Sequence, residues 1–390
     1  MNYRHILFCC FGFFCLSSAL PLELSFAAEI VFTPGISLTA GYEDNIDFIS
    51  NSHDAKDDFN GSVIPETGLE YHTERLDLNG HARLDFKKYL HETDFDRTNQ
   101  LYEIGSEYQA HTRWTFSGNY KFRRDETTDT QFEETGRVFE RKRSQRHYAR
   151  GGAQFALTEL TDIGSFVSYV RADFSGSDNT DYDLYTIELP YTKSFQNQLD
   201  TLRLTPAYSH FKSDDNEKGD DYRLTVGWLR RISETLTFDI SVGPRYTDLQ
   251  DVDGEKNSNF GGVGTIMLTK KGETFNGGIR YSHDLSPTAQ GEIINVDRLL
   301  IFLDKLMTER TGFRFTGNAY YSKREYKDVA NDKVISFELN PALYYKLTEN
   351  HLIELAYDYR NERELNEPGN PTTQSNQVWL GLQLRFPQKW

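Results

Sequence analysis

The chain has 390 residues, 37% apolar and 14% aromatic, and a formal net charge of −16. A polar average that still carries 27 Phe and 23 Tyr excludes a helical membrane protein and an acidic disordered solubiliser, which would be poor in aromatics. The acidic balance excludes duplex nucleic acid as a partner.

Residues 1–27 read as a signal peptide. Arg4 opens it, an apolar stretch runs from Ile6 to Leu20, and small residues allow cleavage after Ala27 or Ala28. Cys9, Cys10 and Cys15 all lie in this segment, so the mature chain has no thiol for a disulfide or a metal. Arg4 and Glu23 leave together, so the mature charge stays at −16. Residues 28–390 then form one unit, although about 150 residues per domain would suggest two or three domains.

Period-2 alternation fills that unit. Leu76, Leu78, Gly80, Ala82, Leu84 and Phe86 oppose Asp77, Asn79, His81, Arg83, Asp85 and Lys87. Trp114, Phe116, Gly118, Tyr120 and Phe122 oppose Thr115, Ser117, Asn119, Lys121 and Arg123. The same pattern returns over 236–243, 313–321 and 377–386; in the last, Val378, Leu380, Leu382, Leu384 and Phe386 oppose Gln377, Trp379, Gly381, Gln383 and Arg385. The alternation blurs over 43–68 and 286–306. These segments exceed the usual five or six residues of a soluble strand and reach the nine to eleven needed to cross a bilayer at a tilt. Charges on the second face suit a wet lumen better than a dry core.

Short turns are expected near 72–75, 110–113, 158–161, 194–197, 232–235, 270–273, 307–310 and 347–350. Longer connections fall near 43–61, 91–97, 126–145, 174–179, 212–219, 249–257, 286–291, 324–332 and 362–372. The fold class is therefore all-β: a single transmembrane antiparallel β-barrel of 18 strands (16 if two are misread), with short periplasmic turns and longer extracellular loops. It belongs in the outer membrane of a Gram-negative bacterium, among outer-membrane lipid and lipopolysaccharide. Pro65, Pro287, Pro368 and Pro371 are placed in or near loops. Pro34, Pro190, Pro206, Pro244 and Pro341 fall inside strands, where a ladder donor is lost.

Gly41-Tyr42-Glu43-Asp44-Asn45-Ile46, the stretch Ser282–Glu292, the turn Leu306-Met307-Thr308-Glu309-Arg310, Tyr357–Arg363, Ser375–Val378 and the terminal Trp390 together carry a family likeness. The chain resembles outer-membrane β-barrel porins of the second type, a group associated with exopolysaccharide and exosortase (PEP-CTERM) systems. The turn keeps only part of the group's usual motif, and the chain ends in Trp where Phe is commoner. The resemblance implies the barrel-insertion machinery as a partner, through the aromatic end, and an association with polysaccharide and its export components.

The function read from wall and loops is a channel-like barrel for passive passage of polar solutes or export of an extracellular polysaccharide. The alternative is a non-conducting structural or adhesive barrel whose loops bind surface polymer. Arg83, Arg203, Arg223, Arg314, Arg385, Asp77 and Asp239 are the lumen-facing candidates. The 126–145 connection carries Arg137, Arg141, Lys142, Arg143 and Arg146. It has two readings: folded inward as a basic constriction, or an outer loop meeting anionic surface lipid. The carboxylates of 43–61 (Glu43, Asp44, Asp47, Asp54, Asp57, Asp58) lack a calcium-loop spacing and read as a solvated loop. No G-x-S-x-G element is present, the histidines are scattered, and adjacent Glu133 and Glu134 do not set a glycosidase separation. No enzyme, cofactor or metal site is expected.

Overall fold

Every backbone N–H and C=O in a bilayer needs an internal partner, and a strand can find two only if its sheet closes. The computed structural model describes residues 28–50, 54–138, 141–176, 179–250, 254–324, 333–365 and 371–390. The segment read as a signal peptide lies outside the described residues.

The first wall runs through β1 (Glu29–Glu43), β2 (Asp58–His72), β3 (Leu76–Tyr89), β4 (Arg97–His111) and β5 (Trp114–Glu126). A helix, α1 (Thr127–Thr135), leads into β6 (Arg143–Thr158), β7 (Thr161–Phe174), β8 (Tyr182–Glu188) and β9 (Tyr191–Ser194). Then come β10 (Asp200–Ser213), β11 (Lys218–Arg231), β12 (Leu236–Gln250), β13 (Lys256–Lys271) and β14 (Phe275–Pro287). The last wall is β15 (Ile293–Leu306), β16 (Thr311–Arg324), β17 (Lys333–Lys346), β18 (His351–Leu365), β19 (Thr372–Arg385) and the short β20 (Gln388–Lys389).

Neighbours pair antiparallel in sequence order, and β1 pairs with both β2 and β19, which closes the ring. β8 and β9 are halves of one stave between β7 and β10, and β20 continues β19 along β1. The twenty segments therefore make 18 staves. A 14-residue stave such as β10 is about 46 Å long, or about 35 Å tall at a tilt of about 40°, enough for the hydrocarbon core and both interfaces.

The outer face is apolar, with Phe59, Val63, Ile104, Val167, Leu224, Leu343 and Leu380 exposed. A closed, even-numbered antiparallel barrel with such a belt is the architecture of the Gram-negative outer membrane, and this chain is a transmembrane barrel of that location. Short turns and longer connections alternate as the sequence predicts.

The prolines sit where the ladder opens. Pro65 is inside β2, not in a loop, and the β2–β3 register skips from Val63 to Glu66 around it. The β11–β12 and β17–β18 registers likewise break opposite Pro244 and Pro341. Pro190 divides β8 from β9, and facing Pro206 accepts there through its carbonyl, from the Leu189 N–H at 3.0 Å. A missing N–H opens one side of a stave only, so the other side holds it in place.

Candidate functional site

The interior is built from the residues that alternate with the exposed apolar ones. All seven wall candidates have this parity. Arg203 and Asp239 meet as an ion pair across β11. Arg223 reaches Asp221 at 2.9 Å and Asp284 at 3.2 Å, and Arg314 reaches Glu354 at 3.0 Å and Asp304 at 3.5 Å. Arg385 is 3.0 Å from Glu66, and Asp77 is 2.6 Å from His72. Arg83 has no ion pair with any described residue; it lines a cavity with Asp85, Lys87 and Arg97. The wall is thus a mosaic of paired charges. Beside it lies a polar cavity of about 470 Å³, bounded by β1–β4, β16, β18, β19 and Asp129 of α1.

The connection after β5 folds into the barrel mouth. Among its described residues the regular element is α1, followed by Gly136 in the left-handed region (φ 68°), whose N–H donates to the Phe132 carbonyl. This is the helix end that favours glycine. Phe132 is fully buried against Ile294, Val296 and Tyr320, with Phe48 and Val138 at the edge. The Tyr320 and Phe48 rings meet it edge-on at 5.9 and 5.8 Å. Those partners belong to β15, β16 and the β1–β2 connection, so α1 reaches away from its own staves. Arg360 on β18 donates to the Thr128 carbonyl (2.9 Å) and to Asp129 (3.3 Å). Burial pushes the Asp129 carboxyl up, but Arg97, Arg360 and Arg123 outweigh it and hold it well below the usual carboxylate range.

The basic residues of this stretch act as clasps. Arg137, 1% exposed, donates from Nε to Ser322 Oγ at 2.5 Å and from Nη2 to the Ser322 carbonyl at 2.9 Å. Arg141 bonds Glu126 and the Ile46 carbonyl. Lys142 donates its backbone N–H to Thr127 Oγ1 at 3.0 Å. Arg143 and Arg146 lie on β6 rather than in the connection; Arg143 reaches Asn99 at 3.1 Å and Arg146 pairs with Glu134. Two of these cations thus meet carboxylates of the same stretch, Arg141 with Glu126 and Arg146 with Glu134.

A second inward cluster joins Val170, Ala172, Tyr182, Phe211 and Leu249 to Ile293. The 288–292 connection packs beside it: Ala289 and Thr288 are buried, and the Thr180 N–H donates to the Ala289 carbonyl at 2.6 Å. These contacts explain the blurred alternation over 286–306, because the inward parity of β15 there carries Ile294 and Val296. The 43–61 carboxylates are not all solvated either. Glu43 ends β1 and meets buried Lys87 at 2.6 Å and the Tyr89 hydroxyl at 2.8 Å. Asp58 begins β2 and accepts the backbone N–H groups of His91 and Glu92. Asp44 accepts from the Asn376 side chain at 2.8 Å. Residues 51–53 lie outside the described residues.

Sequence reasoning assigned no role to Phe132, Ile294 or Trp379. A lone Phe in a polar stretch ahead of a Gly is the signal that would have singled out Phe132. Among the described residues no group of three or more His, Cys, Asp or Glu side chains gathers to hold a metal.

No family model and no curated protein matches the chain. Among solved structures it is similar to OccK2 (OpdF) of Pseudomonas aeruginosa in complex with glucuronate, at 9% identity and a TM-score of 0.48 over 92% of this chain and 98% of that one. It is also similar to the siderophore receptor PirA of Pseudomonas aeruginosa, at 9% identity and TM-score 0.42 over 91% and 80%. The FrpB iron transporter of Neisseria meningitidis (F3-3 variant) gives 9% and 0.43 over 91% and 81%. Similarity at this level carries no functional inference.

Proposed function

We propose that the protein is an outer-membrane channel for polar solutes, closed at its outer mouth by the inward segment 127–138. The observation that carries this reading is the polar cavity of about 470 Å³ with α1 at its edge. A wall of paired charges and amides replaces part of a solute's hydration shell, and such a wall conducts passively. The finer form of the reading is export of an extracellular polysaccharide, which rests on the sequence resemblance; lipopolysaccharide, the barrel-insertion machinery and export components are its proposed partners.

Single-channel recording in planar bilayers tests it. Wild type should show small or infrequent openings, and replacing 128–136 with a Gly-Ser linker should give large, stable steps. Silence from both proteins, each shown to be folded, refutes the channel. That outcome selects the second reading, a sealed barrel whose outer connections bind surface polymer. The two apolar clusters across the mouth are the observation that favours it.

A further inference from the structure

We propose that the cavity between α1 and the β19–β1–β2–β3 wall binds a neutral pyranose unit of a saccharide, with Trp379 as its platform. This deepens the channel reading and rests on it for the transport role alone.

Trp379 is the one tryptophan of interior parity. Trp114, Trp228 and Trp390 are all exposed, while Trp379 lines the cavity. Its indole lies down on its own stave. A Cβ at Gly381 would stand 2.8 Å from Trp379 Cζ3 and 3.3 Å from Cε3, so the six-membered ring occupies the space that a side chain at 381 would take. A Cβ at Gly41 would stand 2.8 Å from Trp379 Cβ and 2.5 Å from the Val378 carbonyl oxygen. Gly381 therefore leaves the space that the ring takes, and Gly41 lets the neighbouring stave approach the Trp379 backbone and Cβ closely, beside a largely polar hollow.

The register defines what faces the ring. Trp379 pairs with Gly41, and Gly41 pairs with Asn60. One row further in, Gly381, Thr39 and Ser62 align in the same way. A strip of small side chains thus separates an aromatic face from an amide two staves away, a gap of about 10 Å. Asn60 is 8% exposed, and its Nδ2 has no hydrogen-bond partner. Asp85 Oδ1 and Arg97 Nε, from the same lining, also lack partners. Asn60, Asp85 and Arg97 thus each keep a polar atom with no partner in the protein, at the hollow that Trp379 lines.

The chemistry of those groups follows. An aromatic face takes a flat apolar surface, and amide, carboxylate and guanidinium groups take hydroxyls at its edge. A pyranose presents both: C–H bonds on its faces and hydroxyls around its rim. The lining carries four carboxylates and four cations, so it selects no charge. A volume of about 470 Å³ lies within the range of small-molecule sites.

The test is a titration of the purified full-length protein in detergent with maltotriose, read by tryptophan fluorescence and calorimetry. Glucuronate and mannitol serve as charged and open-chain controls. Wild type should bind maltotriose saturably and in preference to both controls. Trp379→Ala should weaken binding roughly tenfold or more, as loss of a buried aromatic anchor does. Trp379→Phe should retain calorimetric binding, and Gly381→Val, which fills the ring's seat, should weaken it. Heat-modifiable mobility on gels checks that each variant is folded; if Trp379→Ala fails this check, Gly381→Val and Asn60→Ala decide. No saturable binding by wild type, binding unchanged in the folded variants, or tighter binding of glucuronate overturns the proposal. Conductance of the same proteins is read separately. Binding without conductance refutes the channel and keeps the site, whereas conductance without binding refutes the site and keeps the channel.

Discussion

Truncating Phe132 to alanine should release α1 from the far wall. The side chain is fully buried among Ile294, Val296 and Tyr320, with two edge-on ring contacts and the Arg360 guanidinium 5.8 Å from its centre. A Phe→Ala change at such a site costs about 3–5 kcal/mol. The lower end applies here, because Arg360–Asp129 and Arg137–Ser322 still tether the segment and let it settle. About 3 kcal/mol corresponds to roughly a 150-fold shift between docked and released segment. Trypsin reads this shift directly, since the bond after Arg137 is sealed while that residue is 1% exposed. Where opening is fast relative to cutting, the cleavage rate follows the open population. Cutting at Arg137 should therefore accelerate about 100-fold in Phe132→Ala, and much less in Phe132→Leu. An unchanged rate in a variant that keeps its folded gel mobility would refute the docking account.

The charge contacts make two further predictions. Asp129 is held below the ordinary aspartate range when docked, so its contribution is present above about pH 3.9 and is lost only as pH falls through the lower docked value. Tryptic protection of Arg137 should not fall from about pH 8 to about pH 5, and Asp129→Asn should reduce it throughout; loss of protection between pH 8 and pH 6 would contradict this. Lys87→Met should strand the Glu43 carboxylate and cost about 3–5 kcal/mol, seen as a lower urea midpoint. Adding Glu43→Gln should restore most of that loss, and equal destabilisation by the double variant would show that the pair is not the cause.

The staves were legible because alternation needs only local parity: Leu78 and Phe86 face out and Asp77 and Arg83 face in, whatever lies across the barrel. What lies across the barrel was not legible. Ile294 and Val296 break the pattern of β15 because they receive Phe132, a residue 162 positions earlier than Ile294. The helix around Phe132 was missed because Thr127, Thr128, Thr130 and Thr135 are poor helix formers. Docking on β15, β16 and β18 supplies what propensity lacks. Pro65 was misplaced for the opposite reason: it reads as a breaker, yet its stave keeps an unbroken partner in β1. Parity alone singled out the seven wall residues in the sequence, and parity says nothing of their partners. Asp284, Glu354 and Glu66 come from other staves, and only the register brings them to Arg223, Arg314 and Arg385.

The join between β1 and β19 carries the largest loop-closure cost of any ladder in the barrel. Its paired residues, from Gly35 with Arg385 to Glu43 with Gln377, lie more than 300 positions apart in sequence, whereas every other stave ladder, the β20 extension of this join aside, pairs staves that are consecutive in sequence. Hairpins can therefore form one after another at small entropic cost, and the ring is sealed in one late step that brings together the two most distant staves. Until then β1 and β19 each expose an unpaired edge, the geometry that recruits other chains. β20 lengthens this join by Phe32–Gln388 and Val31–Lys389, and the Trp390 ring stacks on Phe32 at 6.5 Å. A slip of two residues along β1 would break both pairs and the ring contact, so this clasp favours the observed register over its neighbours.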